Sequence, residues 1–203
     1  MKKLDLKKTL VWYSAKPGIF QTVSVLPCQY LMVDGKGDPN TSKEYVAAIE
    51  ALYPLAYTLK FMAKKELEKD YGVLPLEGLW WMEDMSRFTA EDKTDWLWTA
   101  MIMQPDFITR EMFDRAVDLV AAKKKPEALA KTRLETYDEG RSAQTLYVGP
   151  YSDEGPTIQA LHAYIKEQGG ALDGTNKHHH EIYLGDPRRT KPEKLKTIIR
   201  QPY

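Results

Sequence analysis

From Thr41 onward, Tyr45, Ile49, Leu52, Ala56, Leu59, Ala63 and Leu67 recur at steps of three and four. That spacing puts them on one stripe of a helix that packs on a sheet. Thr41 and Glu44 have the spacing of a capping box, which predicts the helix start there. Pro54 removes a backbone donor, so a kink or short break is expected at its position, and Tyr71-Gly72 is read as the stop. A second helix opens at Thr109, carries Met112, Phe113, Ala116, Val117 and Val120 on one side, and ends in Lys123-Lys124-Lys125-Pro126. Positive charge there suits the negative pole of the helix dipole. A third runs from Thr157 to Gln168, with Ile158, Leu161 and Ile165 inward and Gly169-Gly170 as its end.

Other segments alternate with a period of two. Val23 to Lys36 favours strand, with Leu31 and Val33 set against Tyr30, Met32 and Asp34. Leu76 to Met82 and Asp95 to Gln104 read as two strands joined by the charged loop Glu83 to Thr94. Leu134 to Val148 reads as strand with a turn possible at Glu139-Gly140. Two more follow at 179 to 184 and at Leu195 to Gln201. Residues 1 to 20 form an irregular or weakly helical arm ending at Lys16-Pro17-Gly18, with Trp12, Tyr13 and Phe20 anchoring it.

The order strand, helix, strand, strand therefore occurs twice, and the two halves end alike, in Met101-Ile102-Met103-Gln104-Pro105 and Ile198-Ile199-Arg200-Gln201-Pro202. This predicts an internal duplication. The fold class expected is α+β, built from duplicated strand-helix-strand-strand modules with antiparallel sheets, helices on one face and a ligand cleft on the other. The whole chain, 1–203, is read as one domain: arm 1–20, first half 21–105, helical connector 106–131 and second half 132–203.

Candidate chemistry concentrates in His178-His179-His180-Glu181-Ile182-Tyr183-Leu184, closed by Gly185-Asp186-Pro187. Alternation places Glu181 and Tyr183 on one face, Ile182 and Leu184 on the other. With the apolar pair buried, the carboxylate is either wet, paired with Arg188 or Lys177, or in a pocket. Four of the five tryptophans lie in the strand pair of the first half. Trp80 shares a face with Met82, Trp81 sits with Leu79, and Trp96 and Trp98 point together; they fill the core or line a pocket. The histidine run does not predict a metal site, because adjacent strand residues alternate faces and cannot converge on one ion. Arg188 and Arg189 are expected to pair locally with Asp186 or Glu193.

The chain has 203 residues, 43% hydrophobic and 11% aromatic, which excludes a disordered polymer. Its 29 basic and 29 acidic residues balance, so no global field draws in nucleic acid or an anionic membrane. The single cysteine, Cys28, cannot form an internal disulfide and is read as a half-buried hydrophobe. No signal peptide or membrane span is read, and a cytoplasmic protein without cofactor or metal is expected.

The segment His180-Glu181-Ile182-Tyr183-Leu184-Gly185-Asp186-Pro187-Arg188-Arg189-Thr190 resembles the GyrI-like small-molecule-binding family. So do Leu146-Tyr147-Val148-Gly149-Pro150-Tyr151, Gly78-Leu79-Trp80-Trp81 and Tyr30-Leu31-Met32-Val33-Asp34-Gly35-Lys36-Gly37. The resemblance spans roughly residues 20 to 203. It implies that Glu181 is the acidic floor of a ligand pocket with aromatic walls. Tyr147 and Trp81 are the best matches for pocket positions, followed by Tyr183 and Trp80, with Trp98 and Met82 as further lining candidates. The chain lacks the DNA-binding segment of the family's transcription regulators and so resembles its stand-alone branch, some of whose members are similar to hydrolases of cyclopropanoids.

Three functions follow as expectations. The first is a hydrolase of hydrophobic electrophiles, with Glu181 as general base and Tyr147 as its partner. The second is a non-catalytic binder or sensor of lipophilic, often cationic compounds, held by the carboxylate and by cation-π contacts. The third is a protein-binding module that inhibits an enzyme such as gyrase. The expected partner is a hydrophobic small molecule, neutral or cationic, rather than nucleic acid or membrane.

Overall fold

A computed structural model describes residues 3–84, 92–172 and 177–203. Within the loop expected from Glu83 to Thr94, positions 85–91 lie outside the described residues. The strands are β1 (Gln21–Val25), β2 (Cys28–Lys36), β3 (Glu77–Trp81), β4 (Leu97–Gln104), β5 (Arg133–Tyr137), β6 (Gly140–Val148), β7 (His179–Tyr183) and β8 (Lys196–Pro202). The α-helices are α1 (Leu6–Thr9), α2 (Lys43–Glu66), α3 (Arg110–Lys123) and α4 (Gly155–Glu167). Among the described residues, these eight strands form one antiparallel sheet in the order β1-β6-β8-β7-β3-β4-β2-β5.

That order is palindromic in the two halves. The first half contributes β2-β4-β3 and the second β6-β8-β7, and they join where β3 pairs with β7. Each half also gives its leading strand to the other: β1 pairs with β6, and β5 with β2. The segment expected as one strand from Val23 to Lys36 is thus two strands at opposite ends of the order. Pro27 lacks an amide hydrogen and separates them. Because Leu26 and Pro27 are the whole link, Val25 and Cys28 lie at most about 11 Å apart. Asp138 and Glu139 make the equivalent link from β5 to β6. The sheet therefore curls until its two edges approach each other at that end.

The convex face carries the helices. Leu31, Val33, Trp98, Ala100 and Ile102 pack under Leu52, Leu55, Ala56 and Leu59 of α2, and Met112, Phe113, Ala116 and Val120 of α3 join the same cluster. Ala143 and Ile199 pack under Leu161 and Ile165 of α4. The α2 start differs by one position from the capping-box expectation: Ser42 is the N-cap, and its side chain accepts from the Tyr45 amide at 3.2 Å. Glu44 instead pairs with Lys131. Pro54 lies inside an unbroken α2.

The concave face is not an open cleft. Tyr30, Met32, Leu79, Met101, Met103, Ile182 and Ile198 cover it together with Trp12 and Tyr13 of the N-terminal arm. Among these apolar residues lies a buried polar cluster. His180 bonds Glu77 Oε2 and Glu139 Oε1, each at 2.9 Å, and Arg200 donates to Glu139 Oε2 at 2.8 Å. Arg200 also donates to the Trp12 carbonyl, and Tyr13 donates to Glu77. The arm is thereby tied into the curl. Among the described residues, no helix is long and apolar enough to cross a membrane.

Candidate functional site

Pairing register fixes which side chains meet at the junction of the halves. Glu181 stands opposite Gly78, His179 opposite Trp80, and Tyr183 opposite Thr197. Directly opposed residues share a face, so Glu181, His179, Tyr183, Trp80 and Thr197 all point to the helix-bearing side. The site expected opposite the helices thus lies between them, in the gap that α2 and α4 leave over β3 and β7. The reason is that the curled face is already filled by the arm.

Glu181 is only 9% exposed. His179 Nε2 lies 3.0 Å from its Oε1, and the Tyr183 hydroxyl donates to its Oε2 at 2.8 Å. Trp80 Nε1 in turn donates to the Tyr183 oxygen at 3.1 Å. Gly78 makes that chain possible: a Cβ there would stand 2.7 Å from Trp80 Nε1. Tyr45, in the first turn of α2, tilts against Trp80 with ring centroids 5.7 Å apart. Tyr151 meets Tyr183 edge-on at 5.5 Å, and Trp96 lies 5.7 Å from Trp80. Aromatic rings therefore surround the carboxylate on the α2 side and on the α4 side.

A second carboxyl completes the site. Glu154, in the N-cap position of α4, is 4% exposed, feels the Glu181 charge and lies near the Thr197 hydroxyl. The two carboxyls are driven apart. Burial raises the Glu154 pKa first, and the Glu181 charge adds to it, to about 9. Burial acts on Glu181 in the same sense, but the His179 hydrogen bond and charge, the Tyr183 hydroxyl and the Lys93 charge outweigh it, so Glu181 is held below the usual carboxylate range. Lys93 Nζ lies 4.7 Å from the Trp96 ring centroid, at the edge of this cluster. Burial and the Glu181 charge push the Tyr183 hydroxyl well up, so it remains a donor.

The residues singled out from sequence divide. Glu181, Tyr183 and Trp80 come together in one hydrogen-bonded chain. Trp98 is fully buried on the same face, edge-on to Tyr45 at 5.0 Å, and forms the floor beneath that ring. Met82 is buried in the same apolar cluster as Trp80 and Trp96. Trp81 points to the opposite face and stacks on His178 at 4.2 Å. Tyr147 is on the Glu181 face but turns over Gly149 and donates to the Pro150 carbonyl at 3.1 Å. It lines a surface depression of about 370 Å³ with Phe20, Pro156 and Ala160, a space whose lining does not include Glu181. Tyr183 therefore holds the place at Glu181 expected of Tyr147. Of the histidines, His179 serves Glu181 and His180 serves the buried cluster behind it. Arg188 pairs with Asp186, as expected, through its Nε and its terminal nitrogen, each at 2.9 Å.

Sequence reading missed Tyr45, Glu154 and His179 as site members. Tyr45 was absorbed in the apolar stripe of α2, and Glu154 lay in a loop without periodicity. For His179 a signal existed: it stands two residues before Glu181, hence on the same face.

The sequence model of the GyrI-like small molecule binding domain matches residues 23–203. Among solved structures, the fold is similar to that of a conserved protein from Listeria innocua, with 38% identity and a TM-score of 0.88 over 98% of this chain and 99% of that one. It is also similar to two further solved structures, each described as a hydrolase from Listeria innocua. One has 38% identity and a TM-score of 0.86 over 99% of each chain. The other has 36% identity and a TM-score of 0.83 over 98% of this chain and 99% of that one. The C-terminal domain of EcmrR shares the fold at a TM-score of 0.54 with 11% identity, over 91% of this chain and 96% of that one. No curated protein matches the chain. A duplicated sheet with a buried glutamate at its junction, matched by the family model over both halves, shows that the chain belongs to the GyrI-like small molecule binding domain family.

Proposed function

We propose that the protein is a cytoplasmic hydrolase of hydrophobic electrophiles, strained cyclopropanoids among them, in which Glu181 activates water. One observation carries this reading. Glu181 is buried among aromatic rings, yet His179 at 3.0 Å and Tyr183 at 2.8 Å hold it ionised and oriented. A carboxylate kept ionised and oriented in this way is available at neutral pH to accept a proton from water. The half-buried rings of Tyr45, Tyr151 and Tyr183, backed by Trp80, offer a flat apolar substrate a surface to lie on. Similarity over almost the whole chain to a Listeria innocua hydrolase supports the same reading. Destroying a reactive electrophile would make the role one of detoxification.

Sequestration of lipophilic cations draws support from the same rings, through cation-π attraction. It is the weaker reading, because His179 and Lys93 already answer the Glu181 charge.

The test uses a spiro-cyclopropyl cyclohexadienone, which water opens to para-hydroxyphenyl ethanol. Wild-type protein should turn it over, and Glu181→Gln should lower kcat by about 100-fold or more with KM little changed. Turnover retained in Glu181→Gln, or absent in the wild type, would sink the hydrolase reading. Binding of tetraalkylammonium compounds that weakens in step with the lost charge would favour sequestration.

A further inference from the structure

Glu154 is a buried carboxyl to which the mechanism above gives no task. It stands in the N-cap position of α4 without capping the helix, and its Oε1 has no hydrogen-bond partner. Thr197 Oγ1, on neighbouring β8 and fully buried, is unpartnered too. The two are close neighbours, although not in bonding geometry. Burying polar atoms unpaired is unfavourable. Two of them beside Glu181 point to a polar atom of a bound molecule.

We propose that Glu154 is the proton donor of the reaction that Glu181 begins, delivering its carboxyl proton to the oxygen on which the departing electron pair comes to rest. This rests on the hydrolase reading.

The groups that face Glu154 decide its protonation. They are Glu181 and Tyr183 from β7, Lys93 from the segment before β4, Tyr147 from β6 and Tyr151 from the turn before α4. Burial and then the Glu181 charge keep Glu154 protonated up to about 9, with Lys93 opposing them. Two carboxyls whose environments separate them in this way supply one base and one acid at the same pH. Like charges so close cannot both ionise at neutral pH.

The step balances. Glu181 takes a proton from water, and the water oxygen forms a bond to the ring carbon. The strained C–C bond breaks, and its electron pair runs through the conjugated system to the carbonyl oxygen. Glu154 protonates that oxygen. Glu181 then holds the proton that Glu154 has lost, and transfer between the neighbouring carboxyls restores both.

The test is the pH dependence of spiro-cyclopropyl cyclohexadienone opening. In the wild type, kcat should fall on the alkaline side as Glu154 deprotonates, near about 9. Glu154→Gln should lower kcat roughly 100-fold and remove that limb, while Glu154→Asp restores part of both. Full turnover in Glu154→Gln with the alkaline limb intact would overturn the proposal while Glu181→Gln remained inactive, which separates its failure from that of the hydrolase reading. A second measurement does not depend on turnover. A carboxyl raised from 4.5 to about 9 makes the folded state bind the extra proton between those values, so stability falls as pH rises through that window. The thermal midpoint should therefore drop from about pH 5 to about pH 8, and drop less in Glu154→Gln. Equal pH slopes in the two proteins would show Glu154 ionised and overturn the proposal.

Discussion

Gly78 stands directly across the β3–β7 pairing from Glu181, at the centre of the sheet where the two halves meet. It leaves room for the Trp80 indole, whose Nε1 would lie 2.7 Å from a Cβ at this position. The glycine thus sets where Trp80 aims its N–H, and through Tyr183 it sets how Glu181 is held.

Gly78→Ala should push the indole off the Tyr183 hydroxyl. Overpacking of this kind costs about 1–3 kcal/mol. Turnover should fall by about tenfold for a kilocalorie or so of lost orientation. Trimming the ring in Gly78→Ala/Trp80→Phe relieves the clash, so the pair should be non-additive in urea unfolding. Additive losses would mean that the methyl group clashes with something other than Trp80.

Tyr183→Phe removes the donor to Glu181 Oε2 and leaves the Trp80 N–H without its acceptor. A hydrogen bond to a charged group contributes about 1.5–3 kcal/mol, and losing it raises the Glu181 pKa. The acid limb of kcat/KM should therefore move to higher pH. A limb that stays in place would show that His179 and Lys93 keep Glu181 ionised without the Tyr183 hydroxyl.

Periodicity made α2, α3 and α4 legible because each has one apolar stripe and a polar remainder. It also put Glu181 and Tyr183 on a common face, since strand alternation is a local property. What it could not show was the exchange of β1 and β5 between the halves, which depends on pairings more than a hundred positions apart, such as Gln21 with Gln144. That exchange closes the curl, draws the arm into the concave face and leaves the gap between α2 and α4 as the place for Glu181. Alternation already set Trp80 and Trp81 on opposite faces; grouping both in one pocket followed the resemblance against that pattern. Glu154 was invisible for a different reason. A carboxyl in a turn has no period, and only the packing of α4 onto β8 buries it.

The cluster behind the site gives the last prediction. Burial opposes the charge on His180, but the Glu139 charge and the hydrogen bonds from Glu139 and Glu77 outweigh it and raise its pKa above 6.5. Burial likewise opposes the charge on Glu139, and His180 and Arg200 hold it down at about 2. The signs follow from linkage. Glu139, depressed from 4.5, contributes stability that is full above 4.5 and lost as pH falls toward about 2. His180, raised from 6.5, contributes stability that is full below 6.5 and lost as pH rises through its higher folded value. The cluster is therefore most stabilising between about pH 4.5 and pH 6.5. His180→Ala leaves Glu77 and Glu139 buried with Arg200 as their remaining cation in this cluster. Removing one member of a buried ion network costs about 3–5 kcal/mol. Urea unfolding near pH 6, in a Glu154→Gln background that removes the slope of that carboxyl, should show this loss, together with release of the arm as increased proteolysis before Gly18. A loss under about 1 kcal/mol, which is typical of an exposed pair, would mean that Arg200, the Tyr13–Glu77 bond and the packing of Trp12 hold the arm without His180.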